Sequence, residues 1–145
     1  MSAPSSSTSS TTVAVDVVRF VPPVSQAELA VWTSAATAVA VPSYNESFGL
    51  VAVEAQATGT PVVAAAVGGL TTVVRDGVSG ILVDTHEPRD WAASLRRLID
   101  DPQLVERLGR GAVAHAQDFS WERTAARTLD AYERASGRMR AEMAS

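Results

Sequence analysis

The chain has no cysteine and no lysine. Without cysteine there can be no disulfide, no thiolate metal site and no cysteine nucleophile. All twelve basic residues are arginine. Together with abundant Ala and Val, that bias reflects a GC-rich coding background rather than a chemical need. No basic block occurs and the net charge is -4, so nucleic acid is not an expected partner. No apolar run reaches the ~18 residues of a membrane span. The N-terminus lacks the basic and apolar regions of a signal peptide, so the expectation is a cytoplasmic, soluble protein.

What is present fits one domain: 145 residues, 46% hydrophobic and 19% charged, enough to bury a core. Ser2 to Thr12 is almost all Ser and Thr and has nothing to bury, so residues 1–12 read as a disordered tail. The folded part is expected over 13–136, with a second tail over 137–145.

Apolar runs then alternate with helical segments. Val13 to Phe20 is β-branched and reads as a strand, stopped by Pro22-Pro23. Ser25 with Glu28 forms a capping-box signal for a helix to about Ala36. Ala38–Val41, Pro61–Ala66 and Gly80–Val83 read as further strands. Helices are expected over Gly49–Ala57, Leu70–Val74 and Pro88–Ile99, and from Pro102 to about Gln117. Thr58-Gly59-Thr60-Pro61 ends the first of these. Ser120 caps a last helix whose Ala126, Leu129 and Tyr132 should face inward. Short strands, apolar on both faces and separated by helices, describe an α/β fold with a parallel sheet of about four strands. Ligands in such folds sit beyond the carboxyl ends of the strands. The loops after the second and third expected strands, carrying Glu46 and Gly68-Gly69, should open on that edge.

The chemistry concentrates in the first of these loops. Glu46 and Glu54 have seven residues between them, with Ser47-Phe48-Gly49 after the first. A helix starting near Gly49 has free N–H groups and positive potential for a diphosphate. A carboxylate accepts two hydroxyls at once, so Glu46 suits sugar hydroxyls and Glu54 ribose hydroxyls. On one unbroken helix the two acids would lie ~80° apart; with Glu46 in the loop that angle does not constrain them. The same acids could instead only complement the helix dipole, and the spacing alone does not separate the two readings. His86 and His115 read as surface residues without metal-site partners, and Trp91 and Trp121 as packing residues. Arg96 and Arg97 read as a solvated helix face.

The order of motifs goes further. Val39-Ala40-Val41-Pro42-Ser43-Tyr44-Asn45-Glu46-Ser47-Phe48-Gly49, then Glu54-Ala55-Gln56-Ala57, then Gly59-Thr60-Pro61-Val62-Val63-Ala64 resembles family 4 glycosyltransferases of the GT-B type. Val67-Gly68-Gly69-Leu70, Val74-Arg75-Asp76-Gly77, Gly80-Ile81-Leu82-Val83 and Phe119-Ser120-Trp121 continue the match in order, roughly from Val17 to Ala135. Val18 to Ser25 and Gly49 to Ala57 point to the actinobacterial branch that serves mycothiol biosynthesis. The resemblance implies a Rossmann-like C-terminal GT-B domain. It also implies retaining transfer of N-acetylglucosamine from UDP-N-acetylglucosamine to 1D-myo-inositol 3-phosphate.

By motif position, the resemblance implies that Glu46 binds the donor sugar and Glu54 the ribose. It has the backbone from Ser47 and Phe48 through Gly49 and Leu50 holding the diphosphate, and the Val24 main chain meeting the uracil. It further implies a structural Mg²⁺ near Thr33, Ser34, Ala36 and Thr60. The chain reads Trp32-Thr33-Ser34-Ala35-Ala36-Thr37 where the family more often shows Trp-Tyr-Arg-Ala-Ala-Asp. The resemblance places the acceptor-binding N-terminal domain, and an upstream Arg and Lys that clamp the diphosphate, outside this sequence. The expectation is therefore an incomplete domain, inactive or nearly so by itself, whose partner is the missing N-terminal GT-B domain or a separate chain; an apolar strand edge left exposed also predicts self-association. Two alternatives remain: another family 4 enzyme with a different donor or acceptor, or a non-catalytic nucleotide-sugar-binding module.

Overall fold

The computed structural model describes residues 17–143, with side chains described as far as residue 136. The tail expected over 1–12, and Val13 to Asp16 of the first expected strand, lie outside the described residues.

The first helix begins where its cap dictates. Ser25 Oγ accepts from the Glu28 N–H at 3.3 Å, and the Glu28 carboxylate accepts from the Ser25 N–H at 3.2 Å. This reciprocal capping box opens α1, Gln26–Ala35. β1 (Val39–Val41), α2 (Leu50–Ala57), β2 (Val62–Ala65), α3 (Leu70–Val73) and β3 (Gly80–Val83) follow. Then come α4 (Pro88–Asp100), α5 (Pro102–Ala116), a 3₁₀ turn (Gln117–Phe119) and α6 (Trp121–Met143). α2 ends in a Schellman arrangement: the Gly59 N–H donates to the Gln56 carbonyl at 3.0 Å and the Thr60 N–H to that of Ala55 at 3.1 Å. Asp101 caps α5 by accepting from the Leu104 N–H at 3.0 Å, with Pro102 at the first helical position as its missing donor allows.

The three strands are parallel in the order β1-β2-β3. β2 is the middle strand, and all four of its residues are buried. Their alternation sorts them into two cores. Val62 and Ala64 pack with Val41, Ala52, Leu70 and Val73 under α2 and α3. Val63 and Ala65 pack with Ile81, Trp91, Leu98 and Leu108 under α4 and α5. A sheet covered on both faces needs strands without polar positions, which is why these runs read as continuous apolar segments. Each fully buried valine contributes about 1.5–3 kcal/mol, so β2 anchors the domain more than the part-exposed edge strand β1.

Four expectations change. Among the described residues the sheet has three strands, not about four. Val17 to Phe20 form no strand, and Phe20 is 93% exposed; β-branched residues pair only where a half-buried surface receives them. The apolar side of α6 is not turned inward: Ala126 is exposed, Leu129 is 64% and Tyr132 70% exposed. α6 leaves the body at Trp121, and an open cavity of about 820 Å³ separates it from Phe48 and Leu50. The backbone of residues 137–143, expected as a tail, continues α6 to Met143. Finally, His86 and His115 are half-buried rather than surface groups. Trp91 packs as expected, with its indole N–H donating to the Thr85 carbonyl at 2.8 Å, whereas Trp121, expected to pack as well, is 85% exposed along with the rest of the apolar side of α6. No described helix is long and apolar enough to cross a membrane.

Candidate functional site

The loops after β1, β2 and β3 meet at the carboxyl edge of the sheet. The Gly69 N–H, after β2, donates to the Glu46 carbonyl, after β1, at 2.8 Å. After β3, His86 stacks on Tyr44 with ring centroids 4.0 Å apart, and its Nε2 lies 3.1 Å from the Ser43 carbonyl.

Backbone approach explains the glycines here. A Cβ on Gly68 would stand 2.1 Å from the Glu46 carbonyl oxygen, and one on Gly69 would stand 2.5 Å from the Ser47 oxygen. Gly68-Gly69 is thus a docking surface for the Glu46 loop. Gly49 has φ 97° and is the N-cap of α2, a conformation that favours glycine.

The start of α2 is open. Gly49 has no side chain to cap the helix, and its carbonyl already accepts from the Ala52 and Val53 N–H groups at 3.0 and 3.2 Å. The first-turn N–H groups of Leu50 and Val51 find no acceptor among the described residues. Glu46 is half-buried beside this end, and one carboxylate oxygen accepts from the Phe48 N–H at 3.4 Å. Ser47 and Phe48 are exposed, with Phe48 edge-on to Phe119 at 5.9 Å.

Glu54 faces another way. It lines a cavity of about 380 Å³ between α1 and α2, with Gln26, Ala30, Thr33 and Thr58. Its Oε1 accepts from Gln26 Nε2 at 3.2 Å. Val24 is exposed two residues before Gln26, so the chain entering α1 runs beside the face that Glu54 presents. Glu46 and Glu54 thus flank the open start of α2 on different sides. Gln26 was missed from sequence. The only signal was its position just inside the capping box, which reads as helix initiation.

The positions tied to Mg²⁺ form a hydrogen-bonded corner. The Thr33 carbonyl accepts from Thr60 Oγ1 at 2.6 Å and from the Ala36 N–H at 3.1 Å. Ser34 Oγ donates to the Val31 carbonyl at 2.9 Å. Mg²⁺ demands near-octahedral oxygen ligands, usually including a carboxylate. Here both lone pairs of the Thr33 carbonyl are engaged and none of the four positions is acidic. No group of three or more His, Cys, Asp or Glu side chains is poised for a metal among the described residues. With the Thr33 carbonyl engaged in this way, the corner as folded does not fit the ion.

Residues 10–115 match the family described as glycosyl transferases group 1. A D-inositol 3-phosphate glycosyltransferase of Nocardioides sp. is 71% identical over 124 residues, 86% of this chain and 27% of that protein. The Streptomyces griseus subsp. griseus protein of that name is 62% identical over 117 residues, 81% of this chain and 25% of its own. The chain spans about a quarter of the length of these relatives. Among solved structures, sucrose-phosphate synthase from Thermosynechococcus elongatus superposes with a TM-score of 0.76 at 40% identity, over 84% of this chain and 31% of that one. Anabaena HepE in complex with UDP-glucose superposes with a TM-score of 0.60 at 31% identity, over 72% of this chain and 29% of that one. The match over most of the chain, together with the shared α/β fold, makes it a member of the glycosyl transferases group 1 family.

Proposed function

We propose that the chain supplies the donor-binding part of a retaining glycosyltransferase. The enzyme would move N-acetylglucosamine from UDP-N-acetylglucosamine to 1D-myo-inositol 3-phosphate, the step that feeds mycothiol biosynthesis. The observation that carries this reading is the open, uncapped start of α2 with Glu46 and Glu54 on its two sides. The donor's diphosphate would sit on the Leu50 and Val51 N–H groups, where the helix dipole stabilises the charge that grows as the sugar leaves. Glu46 would accept from sugar hydroxyls and so hold the anomeric carbon in place. Glu54 would accept from the ribose in the α1–α2 cavity, with the uracil against the backbone at Val24. The acceptor assignment rests on the names of the relatives, of which this chain spans about a quarter. The acceptor pocket belongs, in this reading, to a further GT-B domain or a separate chain.

A second reading keeps the site and takes UDP-glucose as donor; HepE, which binds that molecule, shares the fold. Titration calorimetry with UDP, UDP-N-acetylglucosamine and UDP-glucose separates the two by affinity order. Glu54→Ala is expected to weaken UDP by about tenfold or more, the worth of a charge-assisted hydrogen bond. Unchanged affinity would remove Glu54 from the ribose. Failure of all three ligands to bind the unaltered chain would overturn the proposal for this domain.

A further inference from the structure

α3 is only four residues long, yet it is tied at both ends. At its start the Gly69 N–H holds the Glu46 carbonyl at 2.8 Å. At its end sits a buried amide from α2. Gln56 is fully buried, and its Nε2 donates to the Ala52 carbonyl at 3.0 Å and to the Val73 carbonyl at 2.7 Å. One residue earlier, His115 from α5 places Nε2 3.4 Å from the Thr72 carbonyl. A carbonyl only accepts, so the proton of that contact is assigned to Nε2. The His115 side chain is 10% exposed.

These contacts close a circuit. The Glu46 loop runs into α2; Gln56 of α2 grips the end of α3; the start of α3 grips the Glu46 loop. Among the described residues the buried Gln56 Oε1 has no hydrogen-bond partner, and neither has His115 Nδ1. An unpartnered polar atom is a costly way to fill a core. Met would fill the Gln56 volume without that cost. What Gln supplies and Met does not is the donor to Val73.

We propose that Gln56 is a positioning residue for the sugar subsite, with His115 as its auxiliary. By fixing the carboxyl end of α3, the pair holds Gly68-Gly69 against Glu46 and sets where the Glu46 carboxylate stands relative to the α2 amides. The inference rests on the donor-site reading given above.

The test compares affinities for UDP-N-acetylglucosamine and for UDP, because UDP lacks the sugar that Glu46 would hold. Gln56→Met is expected to weaken UDP-N-acetylglucosamine about tenfold or more, since small misplacements at a positioned group are costly, while UDP changes by about twofold or less. Glu46→Ala should show the same split. A loss shared equally by both ligands marks a merely structural residue and overturns the inference, as does no loss at all. If Gln56→Met does not fold, His115→Leu carries the same comparison, with a smaller split in the same direction. Absence of the split in Glu46→Ala would instead overturn the donor-site reading, so the two failures are distinguishable.

Discussion

Gly68→Ala offers a direct measure of how much the site depends on two loops touching through bare backbone. The added Cβ would lie 2.1 Å from the Glu46 carbonyl oxygen, about 0.9 Å inside the 3.0 Å that real contacts keep. Both partners are backbone, so no side chain can swing aside. Opening the gap by that amount stretches the neighbouring Gly69-to-Glu46 hydrogen bond, now 2.8 Å, past useful range. Its loss costs about 0.5–1.5 kcal/mol. Gly68 also has φ +47°, and alanine in the left-handed region costs about 1–2 kcal/mol. The expected destabilisation is about 2–3 kcal/mol, with weakened binding of UDP-N-acetylglucosamine as Glu46 moves. Gly77→Ala is the control: φ is +69° but nothing among the described residues lies within 4 Å of the new Cβ. It should show only the ~1–2 kcal/mol of backbone strain and unaltered affinity. Urea unfolding and ligand titration of the two variants decide the matter. If Gly68→Ala is as stable as Gly77→Ala and binds as tightly as the unaltered chain, the contact between the loops does not position the site.

Two further outcomes follow from other parts of the molecule. The exposed Trp121, Leu129 and Tyr132 of α6, together with the edges of the three-stranded sheet, favour self-association of the isolated chain; light scattering should show mass rising with concentration, and a monomer at every concentration would refute it. The Glu122 carboxyl is held below its ordinary pKa by hydrogen bonding to its own backbone and then to the Ser120 side chain. A depressed carboxyl stabilises the helix start fully above its unfolded pKa, and that contribution fades as pH falls through the folded value. The protection of the Glu122 amide, its exchange rate taken relative to the intrinsic rate at each pH, should therefore fall in acid, and Glu122→Gln should remove that dependence; an unchanged profile would show that the carboxylate does not hold the helix start.

Much of the fold was legible because local signals and burial agree in it. The capping box at Ser25, the Schellman end at Gly59 and the Pro start of α5 are local chemistry, and each falls where the sequence placed it within a residue or so. The four apolar residues of β2 announce a doubly covered strand without any partner being known. Val17 to Phe20 and the apolar side of α6 failed for one shared reason. Their composition states a capacity to be buried, and burial needs a surface that these described residues do not supply. The histidines were misread for the opposite reason. A lone His carries no periodic signal, so nothing in the sequence marks His115 as the residue that reaches back 43 positions to Thr72.

The pair of acids shows how a spacing can be informative for the wrong reason. Eight positions along one helix would put two carboxylates ~80° apart, close enough to suggest a shared ligand group. The helix does not run through both. It starts after Gly49, and Gly49 sits at φ 97°, so the segment before it is free to turn. Glu46 is then placed by α3, through Gly69, while Glu54 is placed by α2 and met by Gln26 of α1. Each acid answers to a different neighbour, and the uncapped helix start lies between them. In the proposed reading, a ligand that uses both would be extended and anionic in its middle. A sugar joined to a nucleoside through a diphosphate has that form, whereas a single sugar or a single phosphate would leave one acid idle.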